Sequence, residues 1–218
     1  MQKLYIISNE SISVEGKKFF CDNIDLKSTP EGLNKKFQVH LFGRNSKKKK
    51  RAHEIRLKKI NIFNNIFSYL SAVFSVCKNE EAKYLVISIS PYTFTIVLFL
   101  KLLGKTPIVY LRSDGYREYS AIIGKIGYLI YHLMFNIVSI ISNFISCRKY
   151  ILKGKNGKVI YPSQIDSNWL KKPKISKIKN FKLLYVGRIK IEKGIFSLVD
   201  LIKNKRNIFL SMVGAEKD

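Results

Sequence analysis

Apolar residues along this chain follow two different periods. Short runs at Leu4–Ser8, Phe37–Phe42, Tyr84–Ile89, Pro107–Leu111, Lys158–Ser163, Phe181–Val186 and Ile208–Val213 read as strands. Between them, apolar residues recur three and four apart. Ile60–Cys77 sets Phe63, Ile66, Phe67, Leu70, Val73, Phe74 and Cys77 at helical spacing. Ser90 and Pro91 supply an N-cap and a first-turn proline for a helix that runs to Leu103, where Gly104 stops it. Ile195–Lys203 is a further helix, with Ile195, Leu198, Val199 and Ile202 on one face. Apolar strands alternating with helices predict an α/β fold with a parallel sheet covered by helices.

Ile126–Ile145 reads as one long helix, and ~20 apolar residues are enough to cross a bilayer. Its polar members His132, Asn136, Ser139 and Asn143 fall on a single helical stripe. A lipid-exposed span rarely carries such a stripe, so the expectation is a helix packed inside a water-soluble domain, with an integral membrane helix as the alternative. The lysine-rich, acid-free stretch around residues 171–180 is the expected linker. It separates a Rossmann-like domain at residues 1–170 from a second β-α-β start at residues 181–218, which reads as incomplete.

Composition adds a question of partners. The 218 residues are 46% hydrophobic, enough for a packed core, and carry a formal net charge of +25. Anionic lipid, a polyanionic ligand or a compositional bias of the source each accounts for the charge. The cations are 32 Lys against 8 Arg, and a nucleic-acid partner is the weakest expectation because base readers lean on the arginine fork. Cys21, Cys77 and Cys147 are widely spaced among apolar residues, which suits a reducing compartment. They share no metal-ligand spacing with His40, His53 or His132, and no metal or cofactor is expected. The chain enters a strand-like run at once, so no signal peptide is expected and the expected location is the cytoplasm, with the basic charge offering a peripheral place on the inner face of the plasma membrane as an option.

The chemistry concentrates between Phe181 and Lys203. Gly187 ends a strand where a ligand can approach the backbone, and Arg188 follows at the carboxyl end of that strand. Lys193 and Gly194 precede a helix whose free N–H groups favour an anion. Two cations at a helix N-terminus suit a diphosphate; the same residues also fit an ordinary turn with solvated cations.

Leu184-Tyr-Val-Gly-Arg-Ile-Lys-Ile-Glu-Lys-Gly194 resembles the strand–loop–helix that opens the donor domain of family 4 glycosyltransferases, which have the GT-B fold. Lys158-Val-Ile-Tyr-Pro-Ser-Gln-Ile-Asp166 resembles the strand and turn before that family's linker, with Ser163-Gln164 in place of Asn-Gly, and Ile208–Gly214 resembles the next donor-domain strand. The resemblance implies a C-terminally truncated member in which Gly187, Arg188, Lys193 and Gly194 bind the donor diphosphate, without a metal. The family's paired-glutamate motif, which holds the donor's sugar and ribose, does not occur before Asp218. In the acceptor half, Ser113-Asp114 stands where a His-Asp is expected, making Asp114 the catalytic candidate. Arg112, Arg117 and Glu118 cluster with it at a strand end, and Gly16 is a further acceptor-side candidate; a salt-bridged turn is the competing reading. The expected function is transfer of a sugar from a nucleotide-sugar donor to an envelope glycan or lipid-linked acceptor. A remnant or a non-catalytic binding module is the alternative.

Overall fold

Alternation within the first strand assigns its residues to two cores. Leu4 and Ile6 point to one face of the sheet, Tyr5 and Ile7 to the other, and all four are buried. The computed structural model describes residues 1–48, 52–77, 81–161, 181–187, 189, 194–205 and 207–214. The chain divides into two units, Met1–Gln164 and Ile165–Asp218.

In the first unit, β1 (Lys3–Glu15) pairs in parallel with β3 (Gln38–Asn45) on one side and β6 (Lys83–Ile87) on the other. The sheet continues through β5 (Ile60–Phe63) beyond β3, and through β7 (Ile108–Leu111), β8 (Asn143–Ser146) and β9 (Gly157–Val159) beyond β6. The parallel order is thus β5-β3-β1-β6-β7-β8-β9. This is the doubly wound Rossmann order, in which the direction of winding reverses between β1 and β6. β1 stays paired with β3 across a register shift between Ile7 and Ser11, and its last residues, Ser13–Glu15, pair antiparallel with β2 (Lys18–Cys21), whose register continues antiparallel onto β4 (His53–Ile55).

Helices follow the reversal. α1 (Ile24–Leu33) covers the face of Leu4, Ile6, Leu41, Leu85 and Ile87. The helices α2 (Ile66–Cys77), α3 (Pro91–Leu102) and α4 (Gly115–Ile141) cover the opposite face, with Tyr69, Val73, Ile96, Leu100, Phe135 and Val138 in the core. Each such side chain, fully buried, contributes about 1.5–3 kcal/mol. The expected capping of α3 is present: Ser90 and Thr93 form a reciprocal capping box, Pro91 opens the helix, and Gly104 adopts a φ of 72° just beyond it.

Two expectations need correction. Ile60–Ile62 belongs to an edge strand, and the helix begins only at Ile66, where Asn65 accepts from the Ser68 amide at 2.9 Å. The long apolar helix starts earlier than Ile126, at Gly115, and stops at Ile141; Asn143–Ser146 is the strand β8, paired with β7. That helix is broken at Ile123 and Gly124, where Gly124 takes φ 63° and ψ −145°, a conformation open essentially to glycine alone. Of the polar stripe, His132 is exposed and held by the Tyr116 hydroxyl at 3.0 Å and the Asn136 amide at 2.9 Å, Asn136 and Ser139 are half-buried, and Asn143 belongs to β8.

In the second unit, β10 (Phe181–Val186) and β11 (Ile208–Val213) pair in parallel across α5 (Ile195–Ile202), with the boundaries of both strands as the apolar pattern predicts. The expected linker, residues 171–180, lies outside the described residues.

Candidate functional site

In an open parallel sheet the ligand crevice lies at the carboxyl ends of the strands, where the winding reverses. Here that point is bounded by Ser8–Glu10 after the parallel part of β1 and by Ser88–Ser90 after β6. Tyr69 of α2 fixes the first segment. Its fully buried hydroxyl accepts from the Ser8 amide (3.2 Å) and reaches the carbonyls of Ser8 and Phe42 (3.0 Å each). Burial pushes this hydroxyl far above its usual pKa, against a smaller opposing effect of the Ser8 backbone, so it stays neutral and acts as a structural clip. Tyr69→Phe leaves buried backbone groups without their partner and is expected to cost about 1–3 kcal/mol in urea unfolding. On the β6 side, Ser88 sits at φ 60°, a strained position for a residue with a Cβ. Its amide donates to the Tyr110 carbonyl (2.9 Å) and its carbonyl accepts from the Thr93 hydroxyl (2.9 Å).

Cations stand on either side of this point. Arg44, at the end of β3, stacks over the Tyr92 ring at 4.7 Å and lies 3.4 Å from the Asn9 amide oxygen. Arg112, just past β7, pairs with Glu10 and lies 3.7 Å from Asp25. Asn23 ties the group together: its amide donates to Glu10 (2.9 Å), while its oxygen caps α1 by accepting from the Asp25 amide (2.9 Å). Nε and Nη1 of Arg112 are buried and hold no hydrogen bond among the described residues, Nη1 being compensated by the Asp25 carboxylate at ion-pair distance. Beside this cluster, under the edge of α1, is an apolar cavity of about 500 Å³ lined by Leu33, Phe37, Leu85, Ile108, Tyr110 and Ile145, with Asp25 also in its wall. Burial raises the Tyr110 hydroxyl, with Cys147 and Asp25 adding to the effect and Arg112 opposing it.

The sequence candidates separate into two groups around the end of β7. Arg112 turns toward Glu10 and Asp25. Asp114 turns the other way and is buried: one oxygen caps α4 by accepting from the Tyr116 amide (3.2 Å), and the other pairs with Lys153 (3.2 Å) and Arg117 (3.8 Å). That occupies Asp114 as a helix cap and ion-pair centre. Arg117 and Glu118 are exposed on the first turn of α4. Gly16 lies in the turn of the β1–β2 hairpin at φ 61°, with open space where a Cβ would stand. Glu10, Asn23, Asp25 and Arg44 escape sequence reasoning, because no spacing links residues so far apart; the available signal was the Asn23–Asp25 helix start.

In the second unit, Gly187 and Gly194 bound the candidate phosphate loop; Arg188 and Lys193 lie outside the described residues. Gly194 is the residue before α5, at φ 69° and ψ 13°. The carboxyl ends of β10 and β11 meet through glycine: the Gly187 amide donates to the Val213 carbonyl at 3.0 Å, and a Cβ on Gly214 would stand 1.8 Å from the Gly187 carbonyl oxygen. Among the described residues, no three His, Cys, Asp or Glu side chains gather to hold a metal ion.

No protein-family model matches this chain, and no curated protein matches it. Solved structures similar to it include two nucleotide-sugar-related ones. The UDP-GlcNAc 2-epimerase from Methanocaldococcus jannaschii has a TM-score of 0.44 at 13% identity, over 97% of this chain and 73% of that one. The S. aureus MnaA–UDP co-structure has a TM-score of 0.45 at 14% identity, over 100% of this chain and 63% of that one.

Proposed function

We propose that this protein is a nucleotide-sugar-dependent glycosyltransferase of the GT-B type, acting without a metal on an envelope glycan or lipid-linked acceptor. The observation that carries the reading is the β10–loop–α5 unit, where Gly187 ends a strand, Gly194 precedes a helix, and the intervening sequence is Gly-Arg…Glu-Lys-Gly. Arg188 and Lys193 are assigned to the donor diphosphate, where they neutralise charge as the nucleotide leaves. On the acceptor side, the apolar cavity beside α1, with Asp25 in its wall, supports an acceptor with both an apolar and a hydroxylated part.

The test is release of nucleoside diphosphate by the full-length protein from UDP- and GDP-hexoses, with and without lipid-linked glycans. Acceptor-dependent release, with the sugar recovered on the acceptor, is expected. A sugar epimerised while still on its nucleotide would replace transfer by epimerisation, and failure to bind any nucleoside diphosphate would remove nucleotide-sugar chemistry altogether.

A further inference from the structure

Beyond its break at Gly124, α4 is apolar on two opposite sides. Tyr131, Met134, Phe135 and Val138 are buried against the sheet. Ile126, Leu129, Leu133 and Ile140 point outward and are 68%, 66%, 62% and 81% exposed. These four fall on one helical stripe, where a helix facing water would carry charge. Between Gly124 and Ile141 the sole Lys, Arg, Asp or Glu is Lys125.

Topology rules out a span. The strands that α4 joins, β7 and β8, are hydrogen-bonded parallel neighbours, with Ile108 opposite Asn143 and Leu111 opposite Ser146. Both ends of the helix therefore belong to the same side of any bilayer, and its inner side is committed to the core.

Charge selects what lies against the outer side. From Lys83 to Val159 the sequence has eleven Lys and Arg against two acids, Asp114 and Glu118, and Asp114 is already enclosed by Lys153 and Arg117. A second copy of the chain would bring the same excess and be repelled. Lys125, Arg117 in the first turn of α4, and Lys101 in the last turn of the neighbouring α3 are all exposed, as is Tyr128, a residue suited to the headgroup level. An anionic lipid surface offers both the opposite charge and an apolar layer. We propose that the outward stripe of α4 is a docking surface for an anionic membrane, on which the helix lies in the plane of the interface. This holds whatever reaction the protein performs.

The experiment is co-sedimentation of the full-length protein with vesicles of phosphatidylcholine alone or with about one-third phosphatidylglycerol, using the wild type and a Leu129→Gln/Leu133→Gln variant. The wild type is expected to bind the anionic vesicles, and to bind at least about tenfold more weakly to neutral vesicles, at raised salt, and in the double variant. Both leucines are exposed, so the variant should retain the wild-type thermal unfolding curve and report on docking alone. Equal vesicle binding by wild type and variant would overturn the proposal, as would no binding at all. A wild-type dimer in sedimentation velocity that the variant loses would assign the stripe to a second copy instead.

Discussion

Gly127→Ala is expected to destabilise the first unit by about 3 kcal/mol or more, because the missing Cβ makes room for backbone. The break at Gly124 folds the first half of α4 back so that the Tyr119 carbonyl lies over Gly127. A Cβ there would stand 2.1 Å from the Tyr119 oxygen and 2.6 Å from its carbonyl carbon. Neither atom can swing away as a side-chain tip would, so the two halves of the helix must separate, loosening Tyr119 from Tyr131, whose rings lie 5.2 Å apart. Thermal unfolding should show a midpoint lower by about 6–12 °C. Gly32→Ala is the control: it sits in α1 with nothing within 4 Å of a built Cβ, and alanine there should be neutral or stabilising by about 0.5–1 kcal/mol. Equal loss in both variants would mean that the close approach in α4 is not what limits stability.

The second large effect concerns the donor loop. Arg188→Ala and Lys193→Ala each remove a charge-assisted hydrogen bond to the proposed diphosphate, about 1.5–3 kcal/mol, or roughly a 10- to 150-fold loss of affinity. Isothermal titration of the full-length protein with a nucleoside diphosphate would read this, with the nucleoside alone as a reference that neither substitution should move. Unchanged diphosphate affinity in both variants would sink the assignment. A loss shared equally by the nucleoside would point to damaged folding of the loop rather than a phosphate grip.

What could be read from the sequence depended on local punctuation. α3 was legible because Ser90, Pro91 and Gly104 mark both its ends, and β10 and β11 because charged or polar residues bracket each apolar run. β5 was misread because Ile60, Phe63, Ile66 and Phe67 also satisfy helical spacing, and an edge strand buries too little to impose strict alternation. β8 was absorbed into the preceding helix, since Ile140-Ile141 runs almost unbroken into Phe144-Ile145 and the cap at Ser142 is a weak signal. α1 left little trace, with only Leu26 and Pro30 buried. The candidate site divided the same way. Arg112 was legible as a cation at a strand end, but its partners Glu10 and Asp25 became visible only once β1 and β7 were placed on either side of β6.

The pairing of β1 with β6 has a consequence for how the molecule is made. Leu4 meets Lys83 and Ser8 meets Ile87 across most of the first half of the chain, so the central ladder closes only after a large loop has been ordered. Chains dominated by such non-local contacts fold slowly, because the entropy of loop closure is lost before the pairing compensates for it. The reversal of winding that creates the crevice arises from this one late contact. A nascent chain holding β1, its hairpin and α1 has strands and a partial core but no crevice, and ligand competence arrives together with β6 rather than growing in by degrees.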